Sequence, residues 1–333
     1  MKLRFAIPKG SLGEATLNLL SEAGYKLRGH ERSYRPVIND PDIEVRILRP
    51  QEIPQLVEEG YQDIGITGID WVIETGADVL DLQDLEYGAV DIVLAVSKDW
   101  RDVNSFEDLL NRVLREDRPL RIYTEYLNIS SRWIHSQEAY REKFGDVEPQ
   151  VITPWLKRGD NPRVKIYLSF GATEAKPPDT ADAIIDATST GITLEQNNLK
   201  PIEVLLKSTA HLIANKDAMR DPNKREKILD VLSLLRGVVE ARKKLHIFVN
   251  VREENLKKII PLLPALKSPT ISPLSKKGWY AINTVIDEEQ FLRILPVLRR
   301  YTQGLVVHKP RQVLPLDEIM KEGASGTEND SST

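Results

Sequence analysis

Cysteine is absent from all 333 residues, which excludes disulfides, thiolate nucleophiles and cysteine-ligated zinc sites. The five histidines show no metal-ligand spacing, so a structural zinc is not expected either. No apolar run approaches the ~20 residues of a membrane span. The amino end, Met1-Lys2-Leu3-Arg4-Phe5-Ala6-Ile7, is too short and too charged for a secretory signal, so the cytoplasm is the expected address, with no membrane partner. An excess of one charge is missing too. Forty-six basic and 50 acidic residues leave a net −4, mixed along the chain, which argues against a nucleic-acid scaffold. What remains is ordinary: 41% hydrophobic and 29% charged residues, in a chain long enough for two or three cores.

Strand-like segments at residues 2–7, 43–48, 63–67 and 91–96 alternate with helical ones at 12–23, 50–60 and 70–75. A second alternating set follows: helices over 105–114 and 130–144, and strands over 120–123, 164–168, 183–187, 202–206 and 210–214. This order predicts α/β layers whose ligands bind at the carboxyl ends of the strands. Asp221-Pro222 reads as an N-cap and first turn, opening a long helix to about residue 241. Beyond it the order becomes βαββαβ over residues 245–308, that of a ferredoxin-like module. The tail from Glu322 is expected to be disordered.

One segment carries the most chemistry: Asp182-Ala183-Ile184-Ile185-Asp186-Ala187-Thr188-Ser189-Thr190-Gly191-Ile192-Thr193. The two acids stand four apart, so they are expected on one face. The turn after them offers hydroxyls, one glycine and backbone N–H groups at a helix start, which suits a phosphate monoester. A phosphorylated ribose satisfies both halves. On its own the turn reads equally as a strand–helix connection with Thr193 as N-cap.

With this segment come Ile7-Pro8-Lys9-Gly10-Ser11-Leu12, Arg49-Pro50, Asp63-Ile64-Gly65-Ile66-Thr67-Gly68-Ile69-Asp70, Thr124-Glu125-Tyr126-Leu127-Asn128 and Gly171-Ala172-Thr173-Glu174. The C-terminal part carries Ser268-Pro269-Thr270-Ile271-Ser272-Pro273-Leu274. In this order, over residues 1 to about 311, the set closely resembles the ATP phosphoribosyltransferase family in its long form. The resemblance implies two interleaved periplasmic-binding-protein-like (type II) α/β domains plus an ACT-like module. Their expected bounds are 1–95 with 200–235, then 96–199, then 236–312, with a tail over 313–333. It also implies phosphoribosyl transfer from phosphoribosyl pyrophosphate to N1 of ATP, with Mg2+, histidine feedback and dimer-to-hexamer assembly. Three positions depart from the pattern: Leu127 in place of a proline, Ile192 in place of an arginine, and a shortened segment at 176–180.

On that resemblance, Asp186, Asp182 and Glu174 are candidates for the ribose hydroxyls. Thr188, Ser189, Thr190, Gly191, Ile192 and Thr193 are candidates for the 5′-phosphate. Lys9, Gly10, Arg49, Asp70, Glu125 and Tyr126 are placed in the substrate cleft, although Asp70 reads equally as a first-turn helix acid and Tyr126 as core. Magnesium is expected through the substrate's pyrophosphate, with its protein ligands open. Asn250, Leu266, Ser268, Thr270 and Ala281 are candidates for histidine. The competing class is a non-catalytic two-lobed sensor fused to an amino-acid-binding module, because fold alone does not fix function.

Overall fold

The computed structural model describes residues 2–263, 268–314 and 316. The candidate Leu266 and the tail from Glu322 lie outside the described residues. Contact clustering divides the chain into two units, residues 4–13 with 46–217, and residues 1–3 with 14–45 and 218 onward.

The first part of the chain runs β1 (Leu3–Pro8), α1 (Gly13–Glu22), β2 (Leu27–Arg28), β3 (Val37–Ile38), β4 (Ile43–Leu48), α2 (Ile53–Glu58), β5 (Ile64–Gly68), α3 (Ile69–Thr75) and β6 (Leu80–Asp84). Next come β7 (Val90–Ser97), α4 (Phe106–Arg115), β8 (Leu120–Thr124), α5 (Leu127–Ser136), α6 (Glu138–Phe144), β9 (Pro149–Ile152), β10 (Lys157–Arg158), β11 (Asn161–Leu168), β12 (Ala183–Thr188), α7 (Ile192–Gln196) and β13 (Leu199–Ser208). The remainder is β14 (Ala210–Ala214), α8 (Lys216–Arg220), α9 (Pro222–Arg242), β15 (Lys244–Arg252), α10 (Glu253–Ile259), β16 (Thr270–Pro273), β17 (Trp279–Asp287), α11 (Glu288–Tyr301) and β18 (Thr302–His308).

The larger unit holds two sheets. The five-stranded one has the order β4-β1-β5-β14-β6, and the seven-stranded one β10-β9-β11-β8-β12-β7-β13. In each, one strand runs antiparallel between two others: the late β14 in the five-stranded sheet, and in the seven-stranded sheet β7, its first strand in chain order. β14 lies between β5 and β6, and β7 between β12 and β13, all antiparallel. This is the interleaved pair of α/β sheets expected of a type II periplasmic-binding-like fold. β7 and β13 belong wholly to the seven-stranded sheet, so the exchanges between sheets fall at residues 85–89 and at Thr209. The two passes are joined: Leu85 N–H donates to Ala210 O at 2.8 Å, and Ala210 N–H donates to Tyr87 O at 2.9 Å.

The cores follow from local periodicity. On α4, Phe106, Leu109, Leu110 and Val113 recur at helical spacing and are all buried, with Ser105 capping its first turn through Asp108 N–H. Each such side chain stabilises the lobe by about 1.5–3 kcal/mol. They pack with Ile92, Leu94, Ile122, Val164 and Ile185 of the central strands. In the smaller sheet, Ala6, Ile53, Val57 and Ile213 form a cluster under α2.

In the second unit, Asp221 accepts from Asn223 N–H (2.9 Å) and Lys224 N–H (3.2 Å), and Pro222 opens α9 as the sequence implied. The C-terminal sheet has the order β16-β17-β15-β18, the ferredoxin-like arrangement, with Ile247, Val249, Val251, Ile282 and Ile286 inside. The helix expected over 130–144 is two helices instead, α5 and α6, because Gln137 is extended at φ −71°, ψ 134°.

Candidate active site

The parallel strands β8, β11 and β12 end on the same edge of their sheet. Each delivers a candidate segment there: Glu125-Tyr126 after β8, residues 169–176 after β11, and Thr188 onward at the end of β12.

The Glu125 turn is held from α3. Tyr126 is buried, and its hydroxyl donates to Asp70 Oδ2 at 2.8 Å. Trp71 stacks on the same ring at 4.6 Å. Ser208 donates to the other Asp70 oxygen at 2.7 Å, and Asp70 N–H returns to Ser208 Oγ at 3.2 Å. One turn along α3, Glu74 accepts from Asn128 N–H (2.9 Å) and Ile129 N–H (2.8 Å), supplying the orphan donors at the start of α5. Burial pushes the Glu74 carboxyl and the Tyr126 phenol above their ordinary values, and the Asp70 charge adds to the shift at Tyr126. Gly68 makes the clamp possible, because a Cβ there would collide with the Asp70 carboxylate.

Glu125 itself points elsewhere. Its carboxyl is raised first by burial and then by the negative charge of Asp186, while a hydrogen bond with Gln51 and the positive charge of Arg49 act the other way. Asp186 is also raised chiefly by burial, with the Glu174 charge adding; Thr173, Ala187 N–H and Lys176 oppose the shift. Thr173 donates its hydroxyl to Asp186, and Ala187 N–H donates to Oδ1 at 2.7 Å. Glu174 Oε2 lies 3.4 Å from the same Thr173 hydroxyl. Glu174 and Asp186 thus share the Thr173 hydroxyl, while Glu125 feels the charges of Asp186 and Arg49. Lys9 N–H donates to Leu48 O at 2.7 Å, so Lys9 and Arg49 leave neighbouring strand ends.

The turn after β12 is exposed at Ser189, Thr190, Ile192 and Thr193, and is anchored by buried Leu194. Gly191 is the N-cap, at φ 75°, a region where a side chain is strained, and its N–H donates to Thr188 Oγ1 at 3.1 Å. Thr193 is therefore inside α7 and is not its cap. The first N–H groups of a helix have no intrahelical acceptor.

Two assignments change. Asp182 does not share the mouth with Asp186: it is fully buried at the start of β12, accepting from Arg118 Nη1 (2.6 Å), Arg121 Nη2 (3.2 Å), Arg121 Nε (3.2 Å) and Arg121 N–H (2.8 Å). Its oxygens are consumed by guanidinium groups, and four strand residues carry it away from the carboxyl edge. Asp70 is likewise buried, with one oxygen bonded to Tyr126 and the other to Ser208, so it positions the Glu125 turn.

Three contributors carried no assignment in the sequence reading: Thr173, Gln51 and Lys176. Lys176 Nζ donates to Ser169 Oγ (2.7 Å), Ala172 O (3.1 Å) and Gly171 O (3.2 Å), tying the loop after β11. Its signal was a lone cation inside the shortened 176–180 segment. In the C-terminal sheet, Asn250 and Ala281 are register partners on β15 and β17, with Ser272 beside Ala281 and Thr270 one step along β16. Ser268 and Thr270 are exposed.

Among the described residues no group of three or more acids or histidines is arranged to hold a metal ion. Among them, too, no helix is long and apolar enough to cross a membrane.

Interleaved α/β sheets thus carry neighbouring acids and an exposed hydroxyl–glycine turn at one edge of parallel strands. The ATP phosphoribosyltransferase family pattern matches residues 49–237, and that of the HisG C-terminal domain matches residues 241–309. A relative named ATP phosphoribosyltransferase from Desulforudis audaxviator is 38% identical over 321 residues, 95% of this chain and 100% of its own. Another of that name, from Thermodesulfovibrio yellowstonii, is 37% identical over 94% of this chain and 98% of its own. A solved ATP phosphoribosyl transferase (HisG:HisZ) complex from Thermotoga maritima superposes with a TM-score of 0.54 at 27% identity, over 72% of this chain and 98% of that one. The chain belongs to the ATP phosphoribosyltransferase family.

Proposed function

We infer that the chain transfers the phosphoribosyl group of phosphoribosyl pyrophosphate to N1 of the adenine of ATP, the first step of histidine biosynthesis. The observation that carries this reading is the pairing of Asp186 with Glu174 through the Thr173 hydroxyl, next in the chain to the exposed turn at 188–193, with Glu125 close enough to feel the Asp186 charge. The N1 lone pair attacks C1 of the ribose, the C1–O bond breaks, and its electron pair leaves with pyrophosphate. No side-chain nucleophile is needed, so the protein works by alignment and electrostatics, and alignment alone lowers the barrier by about 7–11 kcal/mol.

Asp186 and Glu125 accept from the ribose hydroxyls and face the positive charge that develops at C1. Glu174 supports Asp186 through Thr173. The N–H groups and hydroxyls from Thr188 to Thr193 take the 5′-phosphate. Arg49 and Lys9 face the pyrophosphate.

The donor chemistry here suits a hard divalent cation, because the available groups are carboxylate oxygens. With no three-acid cluster among the described residues, magnesium would be shared between substrate oxygens and Glu125 or Asp186. When bound, it neutralises charge on the departing pyrophosphate.

The rest of the reading follows the family. Histidine binds near Asn250, Ser268, Thr270 and Ala281 and inhibits; the chain assembles as dimers and hexamers; and its address is cytoplasmic. The test is an absorbance assay for phosphoribosyl-ATP with purified protein, ATP, phosphoribosyl pyrophosphate and magnesium. Turnover that stops with a chelator and returns with magnesium is expected. A folded sample with no turnover would return the chain to the sensor class.

A further inference from the structure

An aromatic pair stands exposed near the Glu125 turn. Trp155 is 71% exposed and Phe170 is 74% exposed, yet their rings meet at 6.2 Å with a 45° tilt. Scattered surface apolar residues need no explanation, but two of the largest side chains held together in water do.

The turn that presents Trp155 is rigid. Thr153 N–H donates to Leu156 O at 2.8 Å, and Thr153 Oγ1 accepts from Leu156 N–H (2.9 Å) and Trp155 N–H (3.3 Å), around Pro154. Next in the chain, Lys157 and Arg158 form exposed β10, paired to β9.

Both halves of the pair adjoin the Glu125 turn. Phe170 precedes Gly171, where a Cβ would stand 3.9 Å from Glu125 Oε1. Arg158 donates to the side chain of Asn128, three residues beyond Glu125. The segments that carry the rings thus both adjoin the Glu125 turn, and two cations follow Trp155 on β10.

We propose that Trp155 and Phe170 form the stacking surface for the purine of ATP, with the Lys157–Arg158 edge turned toward its phosphate chain. This rests on the reaction inferred above, since it assigns one of that reaction's two substrates. An exposed π face suits a flat base whose N1 must stay open to attack, because stacking grips the ring without using its edge.

Steady-state kinetics of Trp155→Ala and Phe170→Ala test it. KM for ATP is expected to rise about tenfold, with KM for phosphoribosyl pyrophosphate changed less than about twofold and kcat largely kept. Trp155→Phe is expected to restore most of the affinity. An unchanged KM for ATP, or equal rises for both substrates, would overturn the proposal.

Tryptophan fluorescence gives a reading independent of turnover. Magnesium–ATP should quench the wild type, magnesium–tripolyphosphate should not, and Trp155→Phe should lose that quench. A quench that survives in Trp155→Phe, or that tripolyphosphate reproduces, counts against the assignment. Wild-type protein that quenches with ATP but forms no phosphoribosyl-ATP would sink the reaction while leaving the stacking site standing.

Discussion

Asp186 and Asp182 show how four residues separate two roles. Burial and the Glu174 charge raise the Asp186 carboxyl, so its anion forms at higher pH than that of an ordinary aspartate. The acid limb of the kcat/KM profile should therefore be displaced upward, and Glu174→Gln should move it to lower pH. An unmoved limb would remove Asp186 from the titration that governs activity. Asp186→Asn should lower kcat by roughly 10²–10³, with urea unfolding unchanged within about 1 kcal/mol. Asp182→Asn should do the reverse. It strips a buried carboxylate from two arginines that are about one-third exposed, and should cost roughly 2–4 kcal/mol of stability after solvent screening. Per folded molecule its KM values should match the wild type; a selective rise in the KM for phosphoribosyl pyrophosphate would restore Asp182 to the ribose. The phosphate turn was legible because its chemistry is local. The partners of Asp182 stand 61 and 64 positions away, and nothing in the spacing of Arg118, Arg121 and Asp182 announces that they meet.

Elements marked by local chemistry were readable, and those defined by pairing were not. Asp221-Pro222 names the start of α9 without help from the rest of the chain. β9 is four residues and β10 two, too short for periodicity to separate from a loop, and they exist because β11 and β9 offer them ladders. The break at Gln137 carries neither glycine nor proline. The clamp from α3 was half visible, since Asp70 and Tyr126 were both noted but their mutual hydrogen bond was not. Tyr126→Phe should cost about 1–3 kcal/mol by leaving a buried Asp70 oxygen unpaired, read by denaturant unfolding.

β14 carries a titrating link to its sheet neighbour. His211 Nδ1 sits 2.9 Å from Asp81 on β6, and Asp84 is 3.8 Å from Nε2. Burial alone would lower the His211 pKa, but the hydrogen bond and the two charges outweigh it and raise it. A raised folded value means the stabilisation is complete below the unfolded value of about 6.5 and disappears as pH rises through the folded one. The stability difference between wild type and His211→Gln should accordingly shrink from pH 6 toward pH 9. A difference independent of pH would show that the imidazolium contributes nothing.

For the whole chain, the two α/β sheets and the C-terminal sheet each have their own interior, which is why element order alone marks an α/β part and a ferredoxin-like module, while the interleaving of two sheets was legible only through the family resemblance. Their connection was less legible: the resemblance puts a boundary near residue 95, whereas sheet membership puts the exchange at residues 85–89. The C-terminal sheet aligns Asn250, Ala281 and Ser272 across three strands. Asn250→Ala and Thr270→Ala should each raise the histidine concentration for half-inhibition about tenfold, roughly one charge-free hydrogen-bonding contact, with kcat unchanged. Inhibition identical to wild type in both would place the effector elsewhere.

The chain leaves the five-stranded sheet once and comes back once, and the outgoing and returning passes are stapled side by side at Leu85, Tyr87 and Ala210. Neither pass can shift without pulling on the other, because two hydrogen bonds tie them across a gap of more than a hundred residues in the chain. The connection between the sheets is thus one braced joint where two loose tethers would otherwise run.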